Sequence, residues 1–187
     1  MQSTKKATLF ASVRSLTLAA MLTAMSVVIG IFCKSFLDFG GVIRITFENL
    51  PIILSGILFG PITGGLVGAS TDLISYFLSS QAYPPNLIVT LGAAAIGFTS
   101  GLVSKYIIKS PSYKQIILSS AVAHVIGSMI IKSIGLYVYF GHVFTVYAIL
   151  WRIPLYLAIA PTEIMLICLL YKNTALRKIL DTARIKK

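Results

Sequence analysis

Two basic residues, Lys132 and Arg152, lie inside long apolar stretches of the sequence, and no carboxylate is next to either of them. A charged group in hydrocarbon costs several kcal/mol, so such a residue usually faces the inside of a helix bundle and marks the path of a ligand or ion. Each cation is ten residues from His142, where the last two apolar stretches meet. At a rise of about 1.5 Å per residue, both are expected at the same depth, about 15 Å below the outer edge. The pattern predicts a membrane protein that binds an anionic ligand from outside.

The competing interpretation of the two cations is pairing within the protein. Asp72 lies near the middle of another apolar stretch, and backbone carbonyls are also available. One carboxylate at this depth would leave positive charge uncompensated, which favours a ligand anion. For Asp72 itself, a structural hydrogen bond between helices and a contact with a ligand are both open.

The composition requires a membrane to position these residues. The chain has 187 residues, of which 57% are hydrophobic and 11% charged, whereas soluble domains carry about 25% charged residues. The sequence therefore predicts a single all-α integral membrane domain over residues 1–187. About 20 apolar residues are needed to cross a bilayer, and six spans are expected, at about 11–33, 46–60, 62–80, 87–108, 115–140 and 144–171.

The basic residues set the orientation of the six spans. They concentrate in the N-terminal tail, in the connection between the fourth and fifth spans and in the C-terminal tail. These three regions share one side of a six-span protein, and the positive-inside rule makes that side cytoplasmic. Both termini are therefore expected in the cytoplasm, and the net charge of +11 is explained by orientation rather than by nucleic-acid binding.

Small residues recur at intervals of four. The second and third spans carry Gly56, Gly60, Gly64 and Gly68, and this spacing favours close packing of helices inside the protein. In the first span, Ala20 and Ala24 have the same spacing. They could pack internally or form an outward docking face for another membrane protein.

Motifs for chemistry are missing from the sequence. The glycine-rich turn at residues 60–65 lacks the lysine of a phosphate-binding loop. Neither a catalytic cluster nor a set of metal ligands is present, and His124 and Glu163 are interpreted separately as structural residues. The sequence therefore predicts neither an enzyme, a metal site nor a cofactor, and six spans without an energy source suggest one part of a larger machine.

The stretch from Ile43 to Leu73, together with Ala19-Ala20-Met21-Leu22-Thr23-Ala24 in the first span, resembles the S components of energy-coupling factor (ECF) transporters. Within this family it is most similar to the folate-specific branch. The resemblance implies a subunit in the bacterial cell membrane that captures folate or a related vitamin outside. It would then dock on a membrane coupling subunit with two ATPases, with Ala20 and Ala24 on the docking face.

Folate chemistry then suggests roles for the candidate residues. The glutamate tail is a dianion, which suits the three cations Lys132, Arg152 and Arg44. The pterin edge has adjacent N–H donors that a carboxylate such as Asp72 could accept. Four aromatic residues could stack on the flat rings: Phe47, Tyr76, Tyr83 and Trp151. Arg44 belongs to the connection at residues 34–51, which is interpreted as an extracellular lid.

Other functions remain open from the sequence. Among other vitamins, pantothenate is anionic and fits the charge, riboflavin would leave the two cations unused, and thiamine would be repelled by them. A stand-alone carrier or a small membrane enzyme is the alternative from another class.

Overall fold

The structure, a computed structural model, describes residues 13–39, 43–79, 86–108, 112–140 and 142–172, and most of them are helical. Two strands of two residues each are the one departure from the expected all-α class within these ranges. The elements in chain order are α1 (Val13–Phe36), β1 (Asp38–Phe39), β2 (Ile43–Arg44), α2 (Asn49–Phe59), α3 (Pro61–Leu78), α4 (Leu87–Leu102), α5 (Tyr113–Ala123), α6 (Lys132–Phe140) and α7 (His142–Lys172).

Four helical segments of the described residues are long and apolar enough to cross a bilayer. They are Ser15–Phe36, Leu87–Ile107, Tyr113–Val138 and Pro154–Lys172. The protein is therefore a helical multi-pass membrane protein. Helix α2 has only 11 residues, or about 17 Å at 1.5 Å per residue, and covers about half of the hydrocarbon core.

Helix α2 is the centre of the bundle. Every residue from Asn49 to Leu58 is buried, and a helix that is apolar on all sides is surrounded by other helices. Its side chains join a hydrophobic cluster with residues of α4, α5 and α7. This cluster includes Ile52, Ile53, Leu54, Ile57, Ile96, Ile116 and Ile167.

The chain reverses between α2 and α3 at Gly60. Its backbone has φ 94° and ψ −179°, a conformation that residues with a Cβ rarely adopt. Pro61 follows as the first residue of α3, where its missing N–H costs no helical hydrogen bond. Because Gly60 N donates to Gly56 O at 2.9 Å, the turn is also tied to the end of α2.

Helices α3 and α4 approach until their backbones touch. A Cβ at Gly64 would lie 2.4 Å from the carbonyl oxygen of Gly97, and one at Gly68 would lie 2.1 Å from that of Ala93. Any side chain at these glycines would push the helices apart. The predicted internal role of the glycine spacing is therefore confirmed.

Two further features shape the outer part of the bundle. Strands β1 and β2 pair antiparallel, with Asp38 opposite Arg44, and the pairing continues in a hydrogen bond from Ile45 N to Leu37 O at 3.2 Å. Between α5 and α6 the helix is π-helical from His124 to Ile131. Such wide turns occur mainly at functional sites, and this one ends directly before Lys132.

Candidate functional site

Lys132 forms a buried ion pair with a carboxylate that the sequence did not assign to it. Its Nζ lies 3.5 Å from Glu48 Oε1, and the two side chains are 7% and 13% exposed. The sequence places Glu48 in the outer connection, but residues 45–48 carry the chain from the β-hairpin to the start of the buried helix α2. The expectation of a single carboxylate near Lys132 is therefore wrong, and the charge of Lys132 is balanced inside the protein.

Glycines on two neighbouring helices make room for this pair. A Cβ at Gly30 in α1 would lie 2.7 Å from Glu48 Oε2 and 3.7 Å from Ser75 Oγ. A Cβ at Gly92 in α4 would lie 2.7 Å from Cγ of Lys132. Helices α1, α3 and α4 therefore enclose the pair.

The backbone at Glu48 is also held in place. Ser26 on α1 donates a hydrogen bond to the main-chain oxygen of Glu48. The amide nitrogen of Glu48 lies 3.4 Å from Thr46 Oγ1. These contacts fix the segment that precedes α2, so the carboxylate of Glu48 starts from an anchored position.

Several buried polar side chains near the start of α2 and on α3 have no partner among the described residues. They are the Asn49 amide and the hydroxyls of Thr71 and Ser75. Asn49 is completely buried, and Thr71 and Ser75 are each 2% exposed. Leaving such a group unpaired costs about 1–3 kcal/mol. Unsatisfied groups in a native structure call for an explanation, and a ligand that supplies the missing partners is one.

Asp72 accepts a hydrogen bond from a threonine of the adjacent helix. Thr90 Oγ1 in α4 donates to Asp72 Oδ2 at 2.7 Å. The competing interpretation of Asp72 as a link between helices therefore has a partner, and this partner is not Lys132. Tyr76, one turn further along α3, is half-buried and meets Phe77 edge-on, with ring centroids 5.6 Å apart.

Only part of the predicted site can be compared with the structure. Phe47 is half-buried immediately before Glu48, so it flanks the ion pair, and Ser75 separates Lys132 and Glu48 from Tyr76 along α3. Tyr83 lies outside the described residues. The side chains of Arg44, Trp151 and Arg152 also lie outside the described part of the chain.

Sequence reasoning missed Glu48, Asn49 and Ser75. A usable signal existed for the first two, because a charged residue and an amide directly before a wholly apolar helix enter the bundle together with that helix. Ser75 carries no such signal, since isolated serines are common in membrane helices.

A second buried pair joins the π-helical segment to α7. His124 Nε2 and Glu163 Oε2 are 2.7 Å apart, and their side chains are 3% and 0% exposed. The sequence treats them as unrelated structural residues, and the structure brings them into contact. In the described ranges, no group of three His, Cys, Asp or Glu residues is arranged to hold a metal ion.

Ala20 and Ala24 lie on the outer face of α1. Both are exposed, whereas Ala19 and Thr23 are buried at 5% and 9% exposure. The neighbouring Met21 is 63% exposed. The alanine pair therefore does not pack inside this chain, and the outward face is the one that a lipid or a partner would contact.

Known proteins with similar sequences and folds are membrane transporter components. The family model described as "ECF transporter, substrate-specific component" matches residues 14–180. The folate transporter FolT of Clostridium novyi (strain NT) is 27% identical over 101 residues, which are 54% of this chain and 56% of that protein. An uncharacterized protein of Mycoplasma pneumoniae (strain ATCC 29342 / M129 / Subtype 1) is 26% identical over 117 residues, 63% of this chain but 22% of that protein.

A solved structure shares the fold. The crystal structure of FolT bound with folic acid matches with a TM-score of 0.66 and 24% sequence identity. The match covers 82% of this chain and 90% of the FolT chain. It shows that the helices are arranged alike over most of both proteins.

Proposed function

Because the chain belongs to the family of substrate-specific components of ECF transporters, we propose that it is the subunit that captures folate for an ECF-type importer. The observation that carries the proposal is the family match over residues 14–180. The folate transporter of Clostridium novyi, which is similar over about half of each chain, supports folate as the vitamin.

The proposed subunit crosses a bacterial cell membrane six times, with both termini in the cytoplasm. Four crossings correspond to the long apolar segments, and α2 and α3 supply the other two as a tight hairpin around Gly60. Basic residues at both tails and between the fourth and fifth spans support this orientation. The outer β-hairpin then lies on the extracellular side, next to Glu48.

Transport would require partners that this chain does not contain. The proposed partners are a membrane coupling subunit and two ATPases, as in the family at large. The exposed faces of Ala20 and Ala24 support a docking role, because small residues on an outer face allow another helix to approach closely.

The proposed ligand contacts divide between the two ends of folate. Lys132 already has an internal anion, so the negatively charged tail is assigned to Arg152 and Arg44. Phe47, Tyr76, Tyr83 and Trp151 are proposed to stack against the rings, and Asp72 to line the same cavity. Arg152→Ala should then weaken folate binding far more than binding of a pterin without the tail, and equal losses would mean that Arg152 does not read the tail.

An uptake measurement tests the proposed function. Cells that lack folate uptake would express the chain with or without a coupling subunit and its ATPases, and accumulation of radiolabelled folate would be measured. Uptake only with the partners is expected. Uptake that is independent of the partners would identify a stand-alone carrier, and uptake of pantothenate, riboflavin or thiamine instead would replace the vitamin but keep the family.

A further inference from the structure

We propose that the Glu48–Lys132 pair, with Ser75, reads the hydrogen-bonding edge of a flat 2-amino-4-oxo heterocycle. This inference rests on the proposed function, because such an edge belongs to the pterin ring of folate. It assigns Glu48 as a specificity-determining residue and moves Lys132 from the tail of the ligand to its ring.

The charge of the pair argues for a neutral ligand group. Glu48 and Lys132 carry opposite charges, and both are nearly buried. A ligand carboxylate placed here would have to compete with Glu48 for the same ammonium group and would bring a second buried anion next to it. A neutral group that presents donors to the carboxylate and an acceptor to the ammonium group avoids this conflict.

The pair has hydrogen-bonding capacity to spare. A charge-assisted N–H···O bond is about 2.7–2.9 Å long, whereas Lys132 Nζ and Glu48 Oε1 are 3.5 Å apart. An ammonium group has three donors and a carboxylate about four acceptor positions. Among the described residues, Glu48 is the polar partner of Lys132 Nζ, so a ligand atom can bind without breaking other contacts of the lysine.

The 2-amino-4-oxo edge matches these groups in order. Its 2-amino N–H and the adjacent ring N–H point the same way and form a paired contact with a carboxylate. The neighbouring 4-oxo oxygen is an acceptor for an ammonium group. A carboxylate and an ammonium group that lie side by side, as Glu48 and Lys132 do, are therefore complementary to this row of two donors and one acceptor.

Ser75 provides an independent sign that a ligand group belongs here. Its hydroxyl is buried and has no hydrogen-bond partner among the described residues. Gly30 borders both Ser75 Oγ and Glu48 Oε2, so the orphan hydroxyl faces the same small region as the free side of the carboxylate. A ring atom bound to Glu48 is within reach of the serine as well.

The test exchanges one atom on the ligand and one on the protein. The ligands are folate and the folate analogue that carries oxygen in place of the 2-amino nitrogen, and the variants are Glu48→Gln and, as a control on the neighbouring carboxylate, Asp72→Asn. The unmodified chain should prefer folate by about 100-fold or more, because a site built for a donor rejects a ligand that lacks it. Glu48→Gln should weaken folate about 10- to 100-fold and lessen or reverse that preference, since a glutamine amide can donate to the new oxygen.

A purely structural role for Glu48 predicts something different. Both ligands would then lose affinity by the same factor, and this result would overturn the inference. If Glu48→Gln does not fold, Glu48→Asp decides the question, because it keeps the charge beside Lys132 and withdraws the carboxylate by one methylene. Folate should then weaken about tenfold with the analogue nearly unchanged, and equal weakening would again refute the assignment.

The two proposals fail in different ways. An unmodified chain that binds neither ligand would refute the proposed function and this inference with it. An unmodified chain that binds folate tightly, with a preference between the two ligands that Asp72→Asn changes and the Glu48 variants do not, would leave the proposed function standing. It would transfer recognition of the pterin edge to Asp72.

Discussion

The contact between α3 and α4 allows a prediction from two adjacent glycines. A Cβ at Gly64 would lie 2.4 Å from Gly97 O and 2.6 Å from the Cα of Gly56, whereas the nearest atoms to a Cβ at Gly65 are 3.5 and 3.6 Å away. Gly64→Ala therefore forces a methyl group into two backbones that cannot rotate aside. Gly65→Ala adds the same methyl group at ordinary contact distance and is the matched control.

The expected difference in stability follows from these distances. Overpacking costs about 1–3 kcal/mol, and backbone neighbours put Gly64→Ala near the upper end. Replacing glycine by alanine within a helix returns up to about 1 kcal/mol. Gly64→Ala should thus lose about 2 kcal/mol, and Gly65→Ala should gain up to about 1 kcal/mol.

Thermal unfolding of the purified protein in detergent measures the difference. At about 2–4 °C per kcal/mol for a chain of this size, the two variants should differ in Tm by about 6–12 °C. Gly64→Ala should also weaken ligand binding, because the same helix contact positions Asp72 next to Thr90. Equal Tm values for the two variants would refute the close backbone approach of α3 and α4.

Three more predictions concern other contacts of the structure. Replacing both Ala20 and Ala24 by Trp should abolish folate uptake and leave folate binding unchanged, and loss of binding as well would show that the face packs within the chain. Asn86→Ala removes the cap of α4 and a bond to α6, and should cost about 1–3 kcal/mol in thermal unfolding; Asn86→Asp, which keeps the cap, should cost less, and an unchanged Tm for Asn86→Ala would contradict the contacts. Glu163→Gln should cost about 3–5 kcal/mol because His124 loses its buried partner. Replacing both Glu163 and His124 by Leu should recover much of that stability, and no recovery would argue against the pair.

The helical membrane class was predictable because it depends on composition. A chain with few charged residues and long apolar stretches can satisfy its backbone in a bilayer mainly by forming helices. The internal role of the glycine spacing was also predictable, since residues four apart share one helix face. The turn at Gly60 has a local cause as well, because a glycine followed by a proline favours a break in a helix.

The partners of the buried charges could not be predicted. Lys132 and Glu48 are 84 positions apart, and the helices that bring them together are identified only by the packing of the whole bundle. Local sequence gave no sign that residues 45–48 turn into the bundle, so Glu48 was interpreted as an outer-loop charge. The contacts of Arg152 with the ligand depend on similar long-range packing and stay a prediction.

Direct ligand binding by the purified chain tests the central claim. Folate, pantothenate, riboflavin and thiamine would each be titrated in detergent without ATP, and quenching of the single tryptophan, Trp151, would be followed together with the heat of binding, because folate itself absorbs light. The account predicts tight one-to-one binding of folate in the absence of the partner subunits. Tight binding of one of the other three vitamins, with none of folate, would contradict it.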